Sequence, residues 1–370
     1  MSFRDFRHRR GLILGAVTAV AAAAGVALLL APRGADAYVV HRLVADPGSA
    51  ALMHDVALVN AWGLAASPTG PWWTANEARG ASSLFAADGS KQTLTVAVDG
   101  GPTGIVYNGR RSFVVRGGGV SAPARFIYAC EDGMIRGWAP VVPHGWSHVA
   151  VVAVDDGARG AVFRGLAIAT LAGGSQRLYA TDFHNGRVEV FDGRWRRIVR
   201  RGAFVDPAIP SWYAPFGIQV IGRRVFVTYA SPAPVNGNDS PTGGYVDEFD
   251  LAGRLVARVE SMGPLGEPWG IALAPSGFGR FGGDLLVANF GSGRVNAYAR
   301  RANGWSFDGQ LPGRGGAPLT VVGLWGISFG NGGMAGPKAV LFFTAGPHRW
   351  RGASELSVHG LFGSISPEGS

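Results

Sequence analysis

The chain of 370 residues holds a single cysteine, Cys130. A lone thiol forms no internal disulfide, so packing and hydrogen bonding alone must close the fold. Long amphipathic helical patterns are absent as well, which sets aside helical bundles and layered α/β folds. No G-x-S-x-G elbow, H-E-x-x-H pair, C-x-x-C pair or phosphate loop occurs. Serine hydrolases of the elbow type, zincins, dithiol redox proteins and P-loop enzymes therefore find no support. The formal charge is +9, yet no long Lys/Arg block carries it. The densest stretch, Arg194 to Arg201 (RWRRIVRR), reads as a solvated outer strand; as a nucleic-acid patch it would lack an aromatic-studded basic groove.

Glycine is abundant at 58 residues and tryptophan common at 11, as expected of many short strands joined by tight turns around bulky inter-sheet contacts. The unit is clearest from Leu178 to Gly193 (LYATDFHNGRVEVFDG), where two alternating runs flank an Asn-Gly turn, the signature of a β-hairpin. Leu285 to Arg300, Phe126 to Pro140 and Trp72 to Gly89 echo it, and looser copies begin at Val225 and Leu341. One such hairpin cannot bury its apolar face alone, so the repetition predicts a radial or stacked β-architecture.

A second element precedes each hairpin: Trp62-Gly63, Thr103-Gly104, Arg164-Gly165, Phe216-Gly217, Trp269-Gly270 and Trp325-Gly326. The spacing of these glycines falls in the period range of propeller blades, and an apolar strand follows each one. The expected fold is all-β, a six-bladed β-propeller over residues 38–370. The strand opening at each Gly is innermost, and the hairpin supplies the next two. Fourth strands are expected at Thr93 to Val98, Val149 to Val154, Arg196 to Arg200 and Leu255 to Glu260, with Phe307 to Leu311 or Leu319 to Val322 in the fifth repeat. The sixth repeat ends at its third strand, Leu361 to Ile365, so the orphan strand Tyr38 to Val44 is expected to complete the last blade and remove the open edge. Ser231 to Gly244 and Gly346 to Val358 read as long surface or binding loops.

Residues 1–37 are read apart from the fold. Arg4, Arg7, Arg9 and Arg10 precede an uncharged run from Gly11 to Ala31, and Ala35-Asp36-Ala37 offers a small-x-small cleavage site. This predicts a signal peptide, by a Sec or twin-arginine route, or an uncleaved membrane anchor. The expected location is periplasmic or extracellular.

Two sets of residues should converge on one face of the ring. The first precedes each repeat glycine: Trp62, Thr103, Arg164, Phe216, Trp269 and Trp325. Its aromatic members could wall a pocket for an apolar or sugar-like ligand, or simply pack blade on blade. The second, aligned by the hairpins, is Asn76, Glu131, Asp182, Tyr229, Asn289 and Ala345. Glu131, Asp182, Asn76 and Asn289 are oxygen ligands of the kind that Ca²⁺ or another divalent metal prefers. Equally, each could cap its own turn. His184, in the turn DFHNG, is a further face candidate, as a base or as a turn residue.

The motifs NAWGLAASPTGPWWTAN, YACEDGMIRGW, YAPFGIQVIG, EPWGIALAPSGFG, LLVANFGSGRVNAYA and HGLFGSIS together resemble an uncharacterised family of exported bacterial β-propeller proteins, some of which end in a PEP-type sorting segment. This chain ends in SISPEGS, without that segment's apolar tail. More distantly the repeat is similar to NHL-type propellers and gluconolactonase-like enzymes. The latter hold a divalent metal with acid and amide residues commonly just before the repeat glycine, positions that here are mostly Trp or Phe. The resemblance implies fold and export. The expected function is a monomeric binding or scaffold module whose partner is a small molecule or an envelope protein, with no nucleic acid and no membrane contact beyond residues 1–37. The alternative is a metal-dependent hydrolase or lactonase using the Glu131 set.

Overall fold

The computed structural model describes residues 37–47, 49–231, 243–346, 348–351 and 354–369. All lie in one compact unit, Gly34–Ser370. The expected signal segment and most of the Ser231 to Gly244 loop lie outside the described residues, as do the side chains of 347–358.

Six antiparallel blades stand side by side, and the inner strand of each packs on that of the next, the sixth returning to the first. Those inner strands are Ala61–Ala66, Pro102–Tyr107, Phe163–Thr170, Ala214–Ile221, Pro268–Leu273 and Leu324–Phe329. The protein is a six-bladed β-propeller. Its cores lie between blades: Phe113, Phe163 and Phe191 fill the contact of blades 2 and 3, and Trp73, Phe126 and Trp138 that of blades 1 and 2. Burying each such ring contributes about 1.5–3 kcal/mol, repeated at every blade contact.

The last blade closes as expected. Tyr38–Ala45 pairs antiparallel with Leu361–Pro367, from Tyr38 opposite Pro367 to Ala45 opposite Leu361. Tyr38 is 1% exposed, and its hydroxyl donates to the Phe278 carbonyl at 2.8 Å, tying the first strand to blade 5 as well. A short parallel strand, Met53–His54, adds a fifth member.

The outer strands follow the expectation in blades 1, 2 and 4, at Lys91–Ala97, Val151–Asp155 and Leu255–Ser261. In blade 5 the edge is Gly304–Gln310, the earlier of the two alternatives. Blade 3 departs: it has three strands, and Arg196 to Arg200 forms no fourth one. Only an isolated Phe191–Arg197 bridge remains. Arg197 turns inward there to pair with Asp156 and Glu189, while Trp195, at φ 66°, packs edge-on against Phe113 at 4.8 Å. These two anchors twist the segment out of a regular ladder.

Each inner strand carries a β-bulge at its x-Gly pair. Ala61 faces Asn76 but Leu64 faces Thr74, so Trp62 and Gly63 together oppose Ala75. The same one-residue shift recurs in all six blades. A bulge re-aims the residue beside it, and here it lets each glycine backbone press on the next blade. A methyl on Gly217 would lie 1.9 Å from the Trp269 carbonyl oxygen, and one on Gly270 2.4 Å from that of Trp325. These six glycines are required by inter-blade contact, not by turn geometry.

Candidate functional site

The residues before the repeat glycines meet at the axis. Trp62, Phe216, Trp269 and Trp325 form one cluster, each less than a tenth exposed, joined by the partly buried Phe183 and Phe290. The Trp62 and Trp325 rings stack at 3.5 Å between centroids, Trp269 stands edge-on to both at 5.9 Å, and Phe290 stacks on the far side of Trp325 at 3.8 Å. Phe216 meets Trp62 edge-on at 6.1 Å. Aromatic rings of opposed blades thus plug the centre, with Trp62, Trp325 and Phe290 face to face and Trp269 and Phe216 in the edge-to-face arrangement favoured by ring quadrupoles.

Arg164, the charged member of the first set, joins the plug. Its guanidinium lies 5.1 Å from the Trp62 ring centroid and 5.7 Å from that of Phe183, and it pairs with Glu131. Burial among these rings pushes its pKa down to about 10, with Glu77 partly offsetting the effect. A methyl on Gly101 would lie 3.3 Å from Glu131 Oε2 and 3.4 Å from Glu77 Oε1, so both carboxylates converge beside this glycine. Glu77 accepts from Asn60 Nδ2 at 2.6 Å, and Asn60 Oδ1 accepts from the Trp325 indole at 3.2 Å. Thr103 takes no part in the plug, its hydroxyl donating to the Phe163 carbonyl of the next blade at 3.0 Å.

Three donors in this cluster meet no acceptor among the described residues: the indole N–H groups of Trp62 and Trp269, and Nε of Arg164. Buried donors of this kind ordinarily find a partner, so three together in one aromatic cluster set this place apart from the rest of the ring. Glu267 borders the plug two residues before Trp269, at φ 50°, a left-handed conformation that Asn60, Gly101 and Gly323 share at the same blade position. Desolvation raises the Glu267 pKa above its ordinary 4.5.

The second set is divided by the register. In five blades the residue opposite the one before the x-Gly pair is Asn76, Asp182, Tyr229, Asn289 or Ala345, as aligned from sequence. In blade 2 it is Cys130, facing Pro102, and Glu131 lies one step beyond. Glu131 therefore belongs with Glu77, Phe183, Ala230 and Phe290, the residues following the second strands, and this ring is the one that borders the plug. Glu77, Phe183 and Phe290 each directly follow a residue singled out from the sequence; the pairing of Cys130 with Pro102, visible only in the structure, is what places Glu131 among them.

Asn76, Asp182 and Asn289 are fully buried and committed within their own blades. Asn76 bonds Thr74 and Ser83 at 2.8 and 3.1 Å. Asp182 accepts from the Val162 backbone and from Asn185 Nδ2 at 3.2 and 2.7 Å, and Asn289 from the Gly266 N–H at 2.9 Å. These are turn and strand caps, and with Glu131 held by Arg164 the four supply no free calcium shell. Among the described residues no group of three or more His, Cys, Asp or Glu is placed to hold a metal. His184 sits on the exposed turn after Asp182, with no ring contact to the plug among the described residues.

Fold and axis together define a β-propeller whose central mouth is aromatic, donor-rich and bordered by carboxylates. The chain belongs to the same family as the uncharacterized protein R648 of Acanthamoeba polyphaga mimivirus, with which it shares 30% identity over 325 residues, 83% of this chain and 78% of that protein. The mimivirus protein L690 is also 30% identical, over 313 residues and 80% of each chain. No protein-family model matches. Among solved structures, the soluble aldose sugar dehydrogenase of Escherichia coli has a TM-score of 0.51 at 12% identity, covering 90% of this chain and all of that one; the likeness is one of fold.

Proposed function

We propose that the protein is a binding module whose recognition face is the axial mouth, and that its ligand is a polyhydroxylated, sugar-like molecule. The observation that carries the reading is the convergence of three acceptor-less donors, on Trp62, Trp269 and Arg164, within one aromatic cluster. A sugar presents hydroxyl oxygens to such donors and C–H faces to aromatic rings, and its hydroxyl protons suit the carboxylates of Glu77, Glu131 and Glu267. The catalytic alternative, a metal-dependent lactonase, gains no comparable support, because its ligand set is spent on hairpin caps. Export to the periplasm or exterior belongs to the same proposal and rests on the Arg-led apolar segment ending at Ala35-Asp36-Ala37 and on the resemblance to exported bacterial propellers.

Three tryptophans line the site, so their fluorescence reports binding directly. A panel of neutral hexoses and their aldonic acids is expected to yield at least one saturable change, abolished in Trp269→Ala and Arg164→Ala proteins that still melt cooperatively. A panel without any saturable change in well-folded protein, or binding indifferent to both substitutions, overturns the reading.

A further inference from the structure

The irregular segment that replaces the outer strand of blade 3 leaves a cleft of about 1130 Å³ against blade 2. Its walls carry Arg110 and Arg111 from blade 2 and Arg177, Arg194 and Arg196 from blade 3, against one carboxylate, Asp192. Asp192 is taken up by Arg196, which donates to it at 2.7–2.8 Å, and Arg177 donates to the Leu251 carbonyl at 2.8 Å. The exposed guanidinium groups of Arg110, Arg111 and Arg194 have no ion pair or hydrogen bond with any described residue. A second, smaller hollow of about 210 Å³ shares Arg177 and Ile198 with the first; Glu189 lies in it and pairs with its Arg187 and Arg197, which leaves Arg200 as its further exposed cation.

The floor holds the two walls in register. The Phe113 N–H donates to the Gly193 carbonyl at 2.7 Å, the Trp195 indole to the Val114 carbonyl at 2.9 Å, and Ser112 bonds Gln176. Phe113 and Trp195 both hold left-handed backbones, at φ 58° and 66°, to make these contacts. The arginine-bearing turns are therefore fixed before any ligand arrives, which lowers the ordering cost of binding.

We infer that this groove binds a linear acidic polysaccharide, its sulfate or carboxylate groups taken by Arg110, Arg111 and Arg194. Guanidinium groups match oxyanions in bidentate geometry. A single-stranded nucleic acid would also want stacking faces, but Trp195, the only aromatic of the arginine-rich turn, is turned onto Phe113. For a bilayer the surface offers a single well-exposed apolar side chain, Val199, since Val114, Leu171 and Ile198 are partly covered. The inference is independent of the axial site, since no residue is shared.

The test is the affinity of the full chain for a fluorescent heparin oligosaccharide across a salt series. Replacing the three arginines together (Arg110→Ser, Arg111→Ser, Arg194→Ser) is expected to weaken binding about tenfold or more and to flatten the log–log salt slope by about two to three, as counterion release requires. A control that removes equal charge elsewhere (Arg223→Ser, Arg301→Ser, Arg314→Ser) is expected to change affinity less than about threefold. Equal losses in both triple variants, with unchanged melts, overturn the site. Tighter binding of single-stranded DNA or of phosphatidylserine vesicles than of heparin at the same salt overturns the polysaccharide.

Discussion

Thr344 donates its hydroxyl to the carbonyl of Trp62, 282 residues earlier, and accepts the Gly326 N–H at 3.2 Å. One side chain thus satisfies the bulge of its own blade and locks blade 6 to blade 1. Thr181 does the same between blades 3 and 4, accepting from the Gly165 N–H and donating to the Phe216 carbonyl, both at 2.7 Å. Thr344→Val keeps the shape but orphans a buried N–H and a buried carbonyl. A loss of about 1–3 kcal/mol is expected in urea unfolding; a loss below about 0.5 kcal/mol would mean that the hydroxyl does not hold the ring.

The repeat glycines predict a sharper effect. In Gly217→Ala the added carbon would sit 1.9 Å from the Trp269 carbonyl oxygen, and backbone has to move to relieve it. A destabilisation of about 3 kcal/mol or more is expected. Gly145→Ala, with nothing within 4 Å of the new carbon, should stay within about 0.5 kcal/mol of the parent. Similar midpoints for the two variants would contradict the inter-blade role of Gly217.

Ring closure is tested at the first strand. Deleting Tyr38 to Val44 exposes the Leu361–Pro367 edge and removes Tyr38 from its place against Phe278 and Phe281, at centroid distances of 4.8 and 6.0 Å. Cooperative melting should be lost, or the midpoint lowered by many degrees, since Leu361–Pro367 is left as an unpaired edge and Met53–His54 loses its partner strand. The milder Tyr38→Phe, which removes only the bond to the Phe278 carbonyl, should cost about 1 kcal/mol. Parent-like melting of the truncated chain would refute closure.

Glu267 predicts a pH dependence. Its folded-state pKa lies above the ordinary 4.5, so between these two values the native state holds a proton that the unfolded chain has released. Stability contributed at this position is therefore full below pH 4.5 and declines as the pH rises through the folded pKa. Glu267→Gln removes that slope: relative to the parent it should gain stability as the pH rises from about 4.5 and show no such gain below it. Parallel stability curves for parent and variant from pH 4 to 8 would rule this out.

The repeats were legible because each element is short and local. Period-two runs, Asn-Gly turns and an aromatic or polar residue before glycine recur along the chain and can be counted without any contact. Closure by Tyr38 to Val44 was legible for the same reason, as a missing strand at one end matched a spare one at the other. The aromatic set Trp62, Phe216, Trp269 and Trp325 was found from its place beside each glycine, although nothing in the sequence tells a pocket wall from a plug.

What the tertiary structure decided are relations across blades. In blade 2 it is Cys130 that pairs with Pro102, and so Glu131 belongs to the ring of Glu77, Phe183 and Phe290, while Cys130 occupies the position expected for Glu131. Whether Arg196 to Arg200 pairs as a strand depended on Asp156 and Glu189, which draw Arg197 inward, and on Phe113 in another blade. The composition and spacing of this chain determine that six hairpins form a ring. Which side chains meet at its axis, and which arginines remain free at its rim, follows from packing between residues far apart in sequence, where no local period exists to be read.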